Sequence, residues 1–501
     1  MRRTPSALGL SFVVAFASLS LVACGGDDPP ASKSDPPGAG GSGGSGGAGG
    51  AGGAGGAGGA GGAGGGPQAD ILEQLEGLPG VQVVEEVSDI PGYRYFVLEV
   101  EQPVDHGNPG GLTFTQRVTL HHRDLEAPVV LGTTGYVHFG LTFGYQYLDE
   151  PAELLDANQL QVEQRYFAPS RPEPADWTLL DIEQAATDHH RLVELIRPIY
   201  SGKWISTGVS KGGMTSVFHR RFFPDDVDGT VAYVAPLSFG IDDPRYIDFL
   251  NNVGDAACRQ ALQSFQREVL LRGAEMEQRV EAQMDMFGLT TDNYGLTATL
   301  ESLATGLYFS FWQFQGSGRC QDIPTAGASD DEVWDFFNEI TSPYASSDQY
   351  SLIFEPYYWQ AYTELGTPGY DTSHLSDLLT VDWSTIDAMP SIPIEPMFDP
   401  QAMQDVNAYV TGGAERILFI YGETDPWSAA AFELGGAVES HLFVQPDGNH
   451  SANLMGLTAN DQAAAFAALE AWTGVAPSQA RAFGAPAQQQ VPLMLRSLRP
   501  R

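Results

Sequence analysis

Apolar positions recur along this chain in two rhythms. Short runs at 95–100, 114–120, 129–132, 159–164, 203–206, 230–234, 416–421 and 441–444 have the length and composition of strands. Longer runs with helical spacing lie between them, notably at 179–199, 214–223 and 462–472. Two early antiparallel strands followed by alternating strand and helix predict a mostly parallel, doubly wound sheet. The alternation stops between about 240 and 414, where helical periods and aromatic residues dominate, including 300–314 and 333–340. A helical cap, inserted into the sheet domain and shaping a substrate pocket, is expected there.

The first 24 residues have a different pattern. Arg2 and Arg3 precede an apolar stretch at 7–21 that is too short for a stable membrane span, and the stretch ends in Leu21-Val22-Ala23-Cys24. This is the layout of a secretory signal whose last four residues resemble a bacterial lipobox, so Cys24 is expected to be the lipidated first residue of the mature protein. An ordinary signal peptide that contains a cysteine is the alternative. Residues 25–68 are almost entirely Gly, Ala, Ser, Pro and Asp and cannot fill a core. As a flexible tether they reach roughly 35 Å. The expected organisation is therefore a signal at 1–24, a linker at 25–68, a catalytic domain from 69–239 and 415–474, a cap at 240–414 and a tail at 475–501.

The formal charge is −38, from 63 acidic and 25 basic residues. Such a surface repels phosphate backbones and anionic lipid, which disfavours nucleic-acid partners and leaves the lipid on Cys24 as the expected membrane contact. It suits a cationic group such as a free peptide amine, or simply aids solubility. Cys258 and Cys320 are the other two cysteines. In an exported protein an even pair reads as a disulfide, worth roughly 4 kcal/mol in the chain-entropy model, with two free buried thiols as the alternative. No His or Cys neighbours them at ligand spacing, so neither a metal nor another cofactor is expected.

The chemistry rests on one serine. With Gly at 58 of 501 positions, a serine is framed as G-x-S-x-G by chance about once in 75. Ser42 and Ser45 match it inside the Gly/Ala tract, but only Ser210, in Gly208-Val209-Ser210-Lys211-Gly212, follows a strand and precedes a helix. That turn is strained, and the residues two before and two after the serine must be tiny. An ordinary helix N-cap is the other role for Ser210, but it requires no flanking glycines.

Asp425 follows the run at 416–421, and His450 follows the run at 441–444, giving the order Ser, Asp, His of an α/β-hydrolase triad. Ser210 is then the nucleophile, His450 its base, and Asp425 the residue that fixes the imidazole. Glu423 is the substitute acid, and Asp425 otherwise reads as a turn former before Pro426. Of the ten histidines only His441 and His450 follow Asp425, and His441 begins an apolar strand. An oxyanion hole needs the N–H of Lys211 and a second donor from the segment after the run at 129–132, with Gly135 or Tyr136 the choice. The Lys211 side chain opposes the helix dipole, so it is expected to pair with a carboxylate. Trp427 and Trp312 are the candidate pocket walls, with Phe309, Phe311 and Phe314 as further aromatics.

Other segments extend the pattern. Gln102-Pro103-Val104-Asp105-His106-Gly107-Asn108-Pro109 with Phe114-Thr115-Gln116-Arg117, then Glu163-Gln164-Arg165-Tyr166-Phe167, then Glu183-Gln184-Ala185-Ala186-Thr187-Asp188, are similar to segments of the prolyl tri/tetrapeptidyl aminopeptidase family, the PS-10 or S37 serine peptidases. Their relatives are the S28 prolylcarboxypeptidase group, and Lys211 and Gly213 favour the aminopeptidase branch. The resemblance spans about 93–471 and implies an α/β-hydrolase that releases short peptides from free N-termini by cutting after proline. A carboxylic-ester hydrolase on the same fold is the alternative, and a catalytically silent binding protein is a third. An enzyme that measures from a free N-terminus needs carboxylates for the amine, and Asp330, Asp331 and Glu332 are candidates.

Overall fold

The computed structural model describes residues 69–478, so Cys24, the signal, the linker and most of the tail lie outside the described residues. Nine strands form one sheet: β1 Val81–Glu86, β2 Arg94–Pro103, β3 Thr113–His122, β4 Val129–Thr133, β5 Asn158–Val162, β6 Trp204–Val209, β7 Gly229–Tyr233, β8 Ile417–Gly422 and β9 His441–Gln445. Their order is β1-β2-β3-β5-β4-β6-β7-β8-β9. The strands from β1 to β3 and on to β5 pair antiparallel; β5, β4, β6, β7, β8 and β9 pair in parallel. Eight of these strands match the apolar runs. β1 does not, because this edge strand is mostly exposed, with Val84 at 60% exposure, and carries too little apolar pattern to stand out.

Parallel strands are buried on both faces and read as continuous apolar runs. In β4 all five residues are buried, and successive side chains enter different cores. Val129 and Leu131 join Leu192, Val193 and Ile196 of the helix Ile182–Ile196, whereas Val130 joins Leu154, Leu469 and Trp472 on the other face. The helix Lys211–Phe222 follows β6 directly. A doubly wound sheet with a serine at this strand-to-helix turn is the α/β-hydrolase arrangement.

The insertion between β7 and β8 has its own core, built on the helices Arg245–Asn252, Ala256–Leu271, Gly273–Phe287, Leu296–Phe314, Asp330–Thr341 and Asp348–Gln360. Leu296–Phe314 is the central one, buried continuously from Ala298 to Gln313. Cys258 and Cys320 form a disulfide with a Cα–Cα distance of 5.3 Å, tying the helix Ala256–Leu271 to the segment that follows the central helix. The helix Pro400–Gly413 differs from the sequence expectation. It falls inside the predicted cap range, yet Met403, Val406 and Val410 pack with Val217, Phe218 and Ile417 against the sheet. A helical period alone does not say which core a helix faces.

Candidate active site

Ser210 stands at the end of β6 with φ 59° and ψ −125°, a conformation that side chains rarely adopt. Its N–H donates to the Tyr233 carbonyl at 2.8 Å, which locks the turn to β7. The glycines on either side are required by contact. A Cβ on Gly208 would sit 2.3 Å from the Gly212 carbonyl group, and one on Gly212 would sit 2.4 Å from the Thr133 carbonyl oxygen.

Asp425 is fully buried and opens the 3-10 turn Pro426–Ala430. One carboxylate oxygen, Oδ1, accepts the Trp427 N–H at 3.2 Å, and the other, Oδ2, meets His450 Nδ1 at 2.7 Å. His450 is 8% exposed, and its Nε2 has no hydrogen-bond partner among the described residues. With Nδ1 committed to Asp425, Nε2 is the ring nitrogen left to take a proton. Glu423, the substitute acid, instead accepts the Asp447 N–H at 2.8 Å. His441 stacks on Phe443, 5.5 Å between centroids.

The loop carrying His450 hangs from the cap. The last carbonyls of a helix lack partners within it, and here the His450 N–H donates to the Gln313 carbonyl at 2.8 Å while Asn449 Nδ2 donates to that of Phe314 at 2.7 Å. The central cap helix therefore ends on the histidine loop.

Gly135 and Tyr136 lie against the nucleophile turn. Gly135 has φ 70°, and a Cβ there would come within 2.7 Å of the Gly212 nitrogen. Thr133 Oγ1 donates to the Gly212 carbonyl at 2.7 Å, stapling this loop to the helix start. The Tyr136 N–H is directed to Thr134 Oγ1 at 3.3 Å, so the backbone of Tyr136 is already engaged. Its side chain is what reaches the site. Burial drives the phenol well above its ordinary pKa, while the nearby Ser210 side chain and Lys211 backbone act the other way. A residue's place in the loop points to its N–H and does not reveal where its phenol ends.

Lys211 is buried with a carbonyl, not a carboxylate, in contact with its ammonium, in place of the expected pairing. Nζ donates to the Gly135 carbonyl at 2.5 Å and lies 5.4 and 5.5 Å from the ring centroids of Tyr136 and Phe167. Burial lowers its pKa to about 7, with the Glu364 carboxylate acting in the opposite direction. A carbonyl and two aromatic faces take the place of a carboxylate.

Of the aromatic candidates, Trp427 lies 6.1 Å from the His450 ring, 5.3 Å from Phe309 and 5.7 Å from Tyr246, and Phe314 meets His450 edge-on. Trp312 does not belong to this group. It is fully buried in the cap core, packed on Phe311 and so close to Gly254 that a Cβ there would fall 2.1 Å from its ring. On a helix buried all round, aromatic density does not distinguish wall from core. Asp330, Asp331 and Glu332 are also placed elsewhere: the first two pair with Arg272 and Arg279 on the surface, and Glu332 closes a capping box with Ser329.

Residues 66–494 match the PS-10 peptidase S37 family, and the prolyl tri/tetrapeptidyl aminopeptidase of Streptomyces mobaraensis is 42% identical over 400 residues, 78% of this chain and 83% of that protein. The chain belongs to the PS-10 peptidase S37 family. It is a serine peptidase on an α/β-hydrolase fold. Similar solved structures include a proline iminopeptidase of Mycobacterium smegmatis, at 13% identity, TM-score 0.34, covering 75% of this chain and 98% of that one. Acetyl xylan esterase 1 of a Thermoanaerobacterium species matches at 10% identity, TM-score 0.33, covering 80% and 91%. Neither likeness bears on the chemistry.

Proposed function

We propose that this S37 peptidase is a prolyl tri/tetrapeptidyl aminopeptidase that releases short peptides from free N-termini by cleavage after proline. The observation carrying this reading is the 42% identity, over 78% of the chain, to the Streptomyces mobaraensis enzyme of that name. Ser210 Oγ attacks the carbonyl of the proline residue as His450 Nε2 takes its proton, and Asp425 holds the imidazole tautomer and stabilises its charged form. The Lys211 N–H and the Tyr136 hydroxyl, which interacts with Ser210, meet the developing oxyanion. His450 returns the proton to the leaving amine, and water then releases the acyl group by the same route. Trp427, packed from behind by the buried Phe309 and Tyr246, lies beside His450 and offers an aromatic face that suits a proline ring.

The decisive assay is a panel of chromogenic peptides ending in proline, with free and acetylated N-termini, run beside short-chain esters. A site that holds a desolvated amine leaves its carboxylate unpaired when the amine is acetylated, so acetylation is expected to lower kcat/KM roughly a thousandfold. Equal cleavage of both forms would indicate an endopeptidase or carboxypeptidase, and turnover of esters alone would make the protein a carboxylic-ester hydrolase. The same proposal places the enzyme outside the cytoplasm on a lipid anchor, supported by Arg2, Arg3, the apolar stretch 7–21 and Cys24. Cys24→Ser is expected to release it from membranes; quantitative retention after a high-salt wash would contradict the anchor.

A further inference from the structure

The loop bearing His450 is held on its far side by a carboxylate from a distant part of the chain. Glu150 is the first residue of the helix Glu150–Leu155, between β4 and β5. Its Oε2 accepts the Leu454 N–H at 2.8 Å and the Tyr233 hydroxyl at 2.8 Å, and its Oε1 accepts the Met455 N–H at 3.0 Å. Leu454 and Met455 open the 3-10 turn Leu454–Gly456, four and five residues beyond His450.

Tyr233 makes this more than a loop anchor. Its hydroxyl donates to Glu150, while its backbone carbonyl accepts the Ser210 N–H at 2.8 Å. A continuous path of hydrogen bonds and covalent bonds therefore runs from the Ser210 backbone through Tyr233 and Glu150 to the turn that follows His450. The partners of Glu150 among the described residues are Leu454, Tyr233 and Met455, and burial raises its pKa while these donors lower it. A carboxylate drawn partly out of water without a cation is costly unless its donors satisfy it. Three donors converging from two separate segments meet that requirement, and an apolar side chain of the same size could not hold those segments in register.

We infer that Glu150 is a positioning residue for the reaction, setting the placement of His450 relative to Ser210 by holding Leu454, Met455 and Tyr233 at once. This rests on the reading that Ser210 and His450 react as a pair. Displacing a reacting group by about 1 Å can cost roughly a hundredfold in rate. Glu150→Gln keeps the shape but turns an amide NH2 toward at least one of the three donors, whereas Tyr233→Phe removes one donor and leaves the backbone bonds.

The experiment measures kcat and KM on a chromogenic tripeptide ending in proline, each normalised to the number of Ser210 sites titrated with a fluorophosphonate. Glu150→Gln is expected to lower kcat per titrated site roughly 10- to 100-fold with KM changed by less than about threefold, and Tyr233→Phe to lower it roughly threefold. A purely structural role would reduce the number of titratable sites and leave kcat per site untouched. Wild-type kcat per site in Glu150→Gln overturns the inference; if that variant does not fold, unchanged kcat per site in Tyr233→Phe does so. Failure of the fluorophosphonate to label Ser210 in the wild-type protein would instead overturn the underlying reading.

Discussion

The nucleophile turn and the histidine loop are held by different means. Around Ser210 the constraints are backbone on backbone: Gly208, Gly212 and Gly213 sit where a Cβ would meet carbonyl groups, and the Ser210 N–H is bound to β7. Around His450 the constraints come from outside the loop, from the end of the central cap helix on one side and Glu150 on the other. The serine is thus fixed by the sheet domain alone, whereas the histidine is placed only when cap and sheet domain are both assembled. Disturbing the first should destroy the site outright; disturbing the second should detune it.

The largest effect is expected from Gly212→Ala, whose Cβ would meet the Thr133 carbonyl oxygen at 2.4 Å. Neither backbone can yield cheaply, so a loss of about 3 kcal/mol in unfolding free energy and the disappearance of fluorophosphonate labelling are expected. Next is Tyr136→Phe, which removes a hydroxyl beside Ser210 and keeps the ring that packs on Phe167, Phe354 and Tyr357. A fall of roughly a hundredfold in kcat with little change in thermal stability is expected, the size seen when one oxyanion donor is lost.

These two sites also differ in how visibly the sequence carries them. The glycine frame of Ser210 is legible because its constraints fall within a few residues of it, and the order of Asp425 and His450 follows from the strands that precede them. The rest is long-range. Glu150 meets Leu454 across 304 residues, and nothing in Asp149-Glu150-Pro151 announces that contact. Lys211 looked as though it needed a carboxylate and found the Gly135 carbonyl, a partner that residue type cannot reveal. Trp312 and Trp427 are equally aromatic in sequence, but one fills the cap core and the other stands beside His450.

A smaller effect sharpens the contrast from the cap side. Asn449→Ala deletes the 2.7 Å bond to the Phe314 carbonyl and leaves the His450 N–H bond to Gln313 and the Phe314–His450 ring contact. A cost of about 1 kcal/mol in stability and roughly a tenfold fall in kcat, with normal labelling at long times, is expected from unfolding and steady-state measurements.

A last test concerns stability against pH and leaves the catalytic pair untouched. Burial raises the Asp149 carboxyl from 3.8 to about 7. Between those values the folded protein holds a proton that the unfolded chain has lost, so this group's contribution to stability declines as pH rises from 3.8 to about 7 and stays low above it. Asp149→Asn should therefore stabilise the protein at pH 8 and do little at pH 4, as read by thermal unfolding at the two pH values. A uniform shift at both would contradict that cause.

Two separately held halves act as one catalytic unit, which a double-mutant cycle on Ser210→Ala and His450→Ala tests. With kcat measured on a tripeptide ending in proline, each single variant is expected to lose at least roughly ten-thousandfold, and the double variant to be no more than a few-fold worse than either. Losses that multiply, or appreciable turnover by Ser210→Ala, would show that the two residues do not work together.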